Sequence, residues 1–460
     1  MTTAAQQNAM MLASLVGVSE EEAGERLART VLFTAEPGWK AEWAAEAAAI
    51  AGRTVSVAAD ADGAAPDLEI LVGDAAPRSG ARRLHVEIGA SGCVVAEQPV
   101  AATRGEPHGL PAQAAACAAA AAAIHAALGG TGLPDLRLPL RLDFAQLGIP
   151  EGSLDRPVFL NGALMAGAGA VAHGFLRALR HLDVRGELPI VDPKTVQGGV
   201  LNRCLYLTDE DVGADKAVAL AIRAQGDLPH LRLIPEVTDF KSAVKALGQP
   251  PETVFVTVDS RLVRRSIQLE APHRVVDAST TDVRQVVTHS NTLPTRHACL
   301  ACIYRHVPDE YARERSIADG LGVTLADVRT GFITRDSARR IAATHSSIDP
   351  GAIEGLAFDS LFRQLCGAQA LATPEGRQVL APFAFVSAWA GVLMAVETLR
   401  AFAGDQSTNY WSVDPWNTPV ARSRMLRPRH PECQFCSKPE TDAVVEALWG
   451  SRKRGAARAA

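Results

Sequence analysis

Over the first third of the chain, apolar and polar residues alternate in short bursts rather than long waves. Thr54–Ala58, Leu68–Val72 and Leu84–Ile88 are β-rich runs bounded by Gly, Pro and Asp, the pattern of strands closed by turns. Ahead of them Ser19-Glu-Glu-Glu22 reads as a capping box opening a short helix. After them an alanine-rich stretch runs from about Pro111 to Leu128 and meets Gly129-Gly130, a helix with a stop signal. This order predicts a small α/β unit over residues 1–135.

Prolines 134, 139, 150 and 157 make residues 133–156 look like a connector. The pattern then restarts: an apolar stretch, a glycine-rich turn, a helix, and strand-like runs at Leu188–Val191, Leu231–Ile234, Val254–Val258 and Val283–Thr288. Helix-like stretches lie between them at about Asp215–Ala224 and Phe240–Leu247. A repeated β-α-β order predicts a doubly wound, Rossmann-like parallel sheet over 151–302. Residues 303–365 are charged and helix-patterned, as in an insertion, and apolar periodicity returns within 366–404. The last stretch, 405–460, is rich in Pro, Trp and Arg.

Composition removes several classes. The formal net charge of −5 argues against a nucleic-acid partner, because phosphate binding wants a basic face. Ala114–Ala127 is interrupted by His125 and reads as a buried helix, and no unbroken apolar run reaches the roughly 18 residues of a membrane span. The N-terminus lacks the charged start and apolar core of a signal peptide, so a cytoplasmic setting is expected. The eight cysteines are then read as thiols or metal ligands before disulfides.

The candidate chemistry begins at Gly167-Ala-Gly169-Ala-Val-Ala172, which follows an apolar run and opens a helix. Glycines there permit a tight turn and let backbone N–H groups approach a phosphate. Asp192 ends the next strand, where an acid would meet a ribose hydroxyl. Asn202-Arg203 and Gly213-Ala-Asp-Lys216 follow. A triphosphate would use Arg203 as a fork and Lys216 as a point charge. A nicotinamide dinucleotide would need neither, though the glycine turn and Asp192 keep an NAD(P)-dependent oxidoreductase open. Asp259, after a later strand, could hold magnesium.

The string from Gly167 to Lys216, with Asp259 and Arg264 beyond it, resembles the E1-like adenylating family. That family includes the ThiF, MoeB and HesA-type activators and the ubiquitin-activating enzymes. The likeness covers roughly 155–300 and 380–403. It implies ATP and Mg2+ as cofactors, with Asp192 on the ribose, Asn202 and Arg203 on the triphosphate, Lys216 on the α-phosphate and Asp259 on the metal. It also implies a small ubiquitin-like or sulfur-carrier protein, or a peptide, as partner, and a homodimer. Four positions depart from the pattern: Lys194 replaces the second acid of Asp-x-Asp, Gly199-Val200 the usual Ser-Asn, Cys204 the Gln, and Ser260 the Asn. Lys194 and Ser260 keep a non-enzymatic, zinc-stabilised scaffold as an alternative.

Independently, Cys299-Leu-Ala-Cys302 and Cys433-Gln-Phe-Cys436 are two Cys-x-x-Cys knuckles. Four thiolates suit tetrahedral zinc, and their distance in sequence requires tertiary folding to join them. Such pairs also occur in bacterial relatives. Cys366 lies past the first pair, where the family can place a thioester- or persulfide-forming cysteine, although a small buried residue is the plainer reading. Cys93, Cys117 and Cys204 read as buried. His173, His289 and His297 have no nucleophile in pattern, and Trp411 and Trp416 read as loop packing. Residues 50–130 carry no Asn-Arg or Lys signature and could be the inactive Rossmann-like half that the family often retains.

Overall fold

A helix that is apolar on every side has to be enclosed by protein, and two such helices organise this molecule. The computed structural model describes residues 3–59, 65–280, 283–305, 308–346, 348–366, 383–417 and 423–459.

The chain opens with α1 (Ala4–Val16), started by a capping box between Thr3 and Gln6, and α2 (Glu20–Leu27), capped by the Ser19 hydroxyl. Six strands follow: β1 (Thr30–Ala35), β2 (Ser56–Ala58), β3 (Leu68–Val72), β4 (Arg82–Gly89), β5 (Gly92–Ala96) and β6 (Leu140–Asp143). Between them run α3 (Trp39–Ala51), joining β1 to β2, and α4 (Gly109–Ala127), joining β5 to β6. The sheet order is β2-β1-β3-β4-β5-β6, parallel as far as β4 and antiparallel beyond it. β6 falls inside the stretch expected to be a connector and completes this first sheet.

The second sheet holds β7 (Val158–Phe159), β8 (Ala163–Ala166), β9 (Val184–Val191), β10 (Leu231–Glu236), β11 (Thr253–Val256), β12 (Arg274–Thr280) and β13 (Val286–Thr292). It is completed by β14 (Tyr410–Val413) and β15 (Arg424–Met425). Helices α5 (Ala170–Leu179), α6 (Lys216–Ala224), α7 (Phe240–Leu247) and α8 (Arg261–Leu269) make its crossovers. The short α9 (Leu300–Ile303) leads to the expected helical segment, α10 (Pro308–Leu321), α11 (Leu325–Arg329), α12 (Arg335–Thr344), α13 (Pro350–Ile353) and α14 (Phe358–Cys366). That segment has its own small core around Ile317, Leu321, Ile341, Phe358 and Leu361. α15 (Ala384–Phe402) and α16 (Pro439–Ala459) complete the helices.

The doubly wound mixed α/β architecture is present, with one correction. The order is β10-β9-β8-β11-β12-β13-β14-β15, parallel from β10 to β12, but β13 runs antiparallel to β12. The connection between those two strands is far shorter than the dozen or so residues a parallel crossover needs. β12 itself escaped the apolar reading because Asp277 sits, fully buried, in its middle.

The run β9-β8-β11-β12-β13-β14 repeats the first sheet in both order and strand sense. α3 and α5 occupy matching crossovers, and α4 and α15 matching positions between the antiparallel strands. These four helices pack against one another, α15 touching α3, α4 and α5. α4 and α15 are long and apolar enough to cross a membrane, yet 83% and 89% of their apolar windows are buried inside the protein. Across the seam Glu46 of α3 receives bonds from Arg177 of α5, from Arg180 just past its end and from Gln113 of α4. Burial alone would push the Glu46 carboxyl up, but the bonds and charge of Arg177 with Arg180 hold it down at about 2.

Where α5 crosses α15 the backbones touch. A Cβ on Gly391 would lie 2.0 Å from the Gly174 carbonyl carbon, and one on Gly174 2.6 Å from the Ser387 carbonyl oxygen. Neither neighbour is a side chain that can swing away. Gly391→Val should therefore cost at least about 3 kcal/mol of unfolding free energy in urea. A loss below about 1 kcal/mol would mean the two helices are not held this closely.

Candidate functional site

In an open α/β sheet, ligands bind beyond the carboxyl ends of the strands, where the chain reverses its direction of winding. Here that point lies between β8 and β11. Gly167, directly after β8, has φ +101°, and a Cβ there would meet Thr257 Oγ1 and Val258 N at 3.1 Å. Only glycine combines that backbone with that contact. The Thr257 hydroxyl donates to the carbonyls of Ala166 and Gly167, 3.0 and 2.8 Å away, tying the turn to β11. Gly169 faces open space, and α5 starts behind it with no side-chain cap. First-turn N–H groups without a cap form an anion site.

Asp192, at the end of β9, is buried, and backbone engages both of its carboxylate oxygens. Oδ2 accepts from the Ala168 N–H at 2.8 Å and Oδ1 from the Lys194 N–H at 2.9 Å. It thus fixes the shape of the glycine turn.

The Asn202-Arg203 pair closes a 3-10 turn, Gly198–Asn202. Arg203 Nη1 donates to the Asn202 side-chain oxygen at 2.7 Å, and Asn202 Nδ2 donates to Asn8 Oδ1 at 2.8 Å. Asn8 belongs to α1 and donates in turn to the Arg53 carbonyl. The Arg53 guanidinium crosses to the same loop and donates to the carbonyls of Leu201, Leu205 and Leu207 at 3.0, 2.7 and 3.0 Å. The first sheet's unit therefore grips the segment that carries Arg203. Sequence reading missed Asn8 and Arg53, since neither lies in a motif and their partners are far away along the chain.

Lys216 is the first residue of α6, and its N–H donates to the Lys194 carbonyl at 2.8 Å. Among the described residues its ammonium has no ion-pair partner. A cation at a helix start opposes the helix dipole, so an anionic ligand would relieve an arrangement the fold does not otherwise favour. His173 is fully buried nearby, and burial, aided by the charges of Arg53 and Lys216, pushes it down to about 3. Neutral at ordinary pH, its Nδ1 accepts from the Tyr206 N–H, a structural role. Burial pushes His289 down to about 4, and its Nε2 bonds the Ala298 carbonyl.

Asp259 is exposed at the mouth of the site. Its Oδ1 lies 3.4 Å from Lys194 Nζ and 3.3 Å from the Ser360 hydroxyl. A carboxylate oxygen already facing an ammonium is a poor start for a magnesium site, which wants several free anionic oxygens and ordered waters. Ser260, in place of asparagine, accepts from the Val263 N–H and caps α8. Arg264 is buried, bonded to Asp277, Tyr304 and the Val258 and Ala278 carbonyls, and so fixes the strand end that presents Asp259. Cys366 ends α14, but its side chain lies outside the described residues.

The two Cys-x-x-Cys pairs meet as sequence spacing required. The Sγ separations are 3.7 Å for Cys299–Cys302 and Cys299–Cys433, and 3.3 Å for Cys302–Cys436. All four sulfurs lie within 4.8 Å of one another. A tetrahedron with arms of about 2.3 Å has edges of about 3.8 Å, so the four thiolates fit zinc. The His430 N–H donates to Cys302 Sγ, while Phe435, Val445 and Trp449 wall the cluster. Four protein ligands leave no position for water, the mark of a structural site.

The chain resembles several known proteins. The model of the E1 N-terminal domain matches residues 1–150, and that of the ThiF family matches residues 160–435. The chain is 27% identical over 295 residues to the uncharacterized protein y4jF of Sinorhizobium fredii, covering 60% of this chain and 54% of that protein. It thus spans about half the length of the curated relative it matches. Among solved structures, E. coli MccB with ATP aligns over 77% of this chain and 97% of its own, at 12% identity and TM-score 0.38. E. coli tRNA N6-threonylcarbamoyladenosine dehydratase, TcdA, aligns over 53% and 86%, at 13% identity and TM-score 0.30.

Zinc binding is directly measurable. Elemental analysis should find one zinc per chain, and Cys433→Ser should lose it. Because ligand and folding energies are linked, chelation should also lower the melting temperature by more than about 5 °C. A metal-free protein with an unchanged melting temperature would contradict the assignment.

Proposed function

The chain belongs to the ThiF family, and from that premise we propose that it is an E1-like adenylyltransferase that activates a carboxylate with ATP. The observation that carries this reading is the uncapped start of α5 behind the glycine turn, to which the backbone of Lys216 at the start of α6 is tied through Lys194 and Asp192. In this reading the triphosphate lies against the first N–H groups of α5, with Arg203 and Lys216 supplying positive charge. Asp192 keeps the turn in shape, and its expected contact with the ribose belongs to the same proposal. A substrate carboxylate oxygen attacks the α-phosphorus, the bond to the bridging oxygen breaks, and pyrophosphate leaves with that electron pair. The products are an acyl-adenylate and pyrophosphate, and the protein contributes positioning and charge neutralisation.

The acceptor in this proposal is the C-terminal carboxylate of a small ubiquitin-like or sulfur-carrier protein, or of a peptide. Cys366, at the end of α14, is the candidate to receive the activated acyl group as a thioester, its thiolate attacking the acyl carbon while the bond to the phosphate oxygen breaks and AMP leaves. The repeat of the sheet within one chain supports an internal pair of halves, the first inactive, in place of the homodimer that the resemblance implies. The Cys299, Cys302, Cys433 and Cys436 cluster would hold zinc and pin α16 to α9.

Calorimetry with ATP tests the reading. Saturable binding is expected, weakened at least about tenfold by Lys216→Ala and by Arg203→Ala, the loss typical of one charge-assisted phosphate contact. NADH should not bind. A folded, zinc-loaded protein that ignores ATP would instead support a zinc-stabilised scaffold, and saturable NADH binding would support an oxidoreductase.

A further inference from the structure

Lys194 stands where the family pattern carries an acid, and the structure shows what it does there. Its Nζ lies 2.9 Å from the Ser360 hydroxyl and 3.4 Å from Asp259 Oδ1, while that hydroxyl lies 3.3 Å from the same carboxylate oxygen. The three groups form a closed triangle on three separate elements: the loop after β9, the loop after β11 and the first turn of α14. Each corner is anchored. The Lys194 N–H donates to Asp192, and its carbonyl accepts from the Lys216 N–H. Asp259 follows Val258, whose carbonyl is held by the buried Arg264. Ser360 is seated by Ala357 in the apolar cluster under the sheet and by Phe358 in the core of the helical insertion.

We infer that Lys194 is the resident cation of Asp259, an ammonium built into the site at the carboxylate where a nucleotide's divalent ion would otherwise bind. Nucleotide binding at the glycine turn then depends little on magnesium. This inference rests on the ATP reading above. A divalent ion arriving at Asp259 would have to displace the ammonium or sit beside it, and repulsion between neighbouring cations opposes the second course. An ammonium is also a compact point charge suited to phosphate oxygens. Ser360 enters as a positioning residue that holds the ammonium on the carboxylate and links the helical insertion to the nucleotide site.

Two titrations of the zinc-loaded, full-length protein test this. In the first, Mn2+ is added without nucleotide and followed by electron paramagnetic resonance. The native protein should show no stoichiometric Mn2+ site, while Lys194→Met should gain one that a further Asp259→Asn removes. In the second, ATP is titrated in EDTA and again with magnesium. The native affinity should differ less than about threefold between the two, and that of Lys194→Met more than about tenfold, since that variant must recruit the ion. Lys194→Arg, which keeps the charge, should behave like the native protein. A native Mn2+ site abolished by Asp259→Asn, or a native ATP affinity that collapses in EDTA as far as the variant's, would overturn the inference. If the native protein binds no ATP under either condition, the nucleotide reading fails and this inference with it, whereas the Mn2+ arm reports on the ion pair alone.

Discussion

Backbone carbonyls in an irregular loop must find donors, and between residues 201 and 207 one guanidinium supplies them. Arg53 donates to Leu201, Leu205 and Leu207 from the other half of the molecule. A buried carbonyl left without a partner costs about 1–3 kcal/mol, so the loop's conformation is bound to the presence of Arg53. Asn8 adds a second strut through the Asn202 side chain. The segment that carries Arg203 is therefore shaped by residues of the first half. Under the proposed function, the first half, whose sheet order the second repeats, serves as a mould for the half that binds the nucleotide.

From this seam the rest of the architecture follows. α15 is enclosed on every side because it fills the space between the two sheets' helices, and it approaches α5 so closely that Gly174 and Gly391 leave no room for a Cβ. α5 in turn carries the glycine turn at its start and the arginines that bind Glu46 near its end. Packing at one end of a ten-residue helix thus sets the position of the N–H groups at the other. The cysteine cluster joins α9 to the segment before α16 and so closes a chain excursion that includes the whole helical insertion.

How much of this could be read in the sequence depended on whether residue type alone carried the information. The Cys-x-x-Cys pairs were legible because thiolate chemistry and spacing define a zinc site whatever the fold. Phe240–Leu247 was legible because its apolar period and flanking Asp239 and Gly248 fix a helix locally. β12 was not, since Asp277 interrupts its apolar run and its burial is compensated by Arg264 and Tyr304, distant partners that no window contains. The antiparallel turn to β13 was hidden because strand direction depends on connection length rather than on residue pattern. Arg53, Asn8 and Ser360 gave no signal, as their work is done on groups more than a hundred residues away. The substitution of Lys194 was visible, but its meaning was not until the ammonium was seen facing Asp259.

That the first half moulds the loop carrying Arg203 is the central claim, and hydrogen exchange tests it most directly. Exchange would be followed by mass spectrometry in the native protein and in Arg53→Met, which keeps the aliphatic stem but removes the donors. Amides across residues 198–207 should exchange at least about tenfold faster in the variant, while β8, β9 and α15 stay protected. Unchanged protection across 198–207 in a folded variant would mean that the loop holds its own shape and that the first half serves some other end.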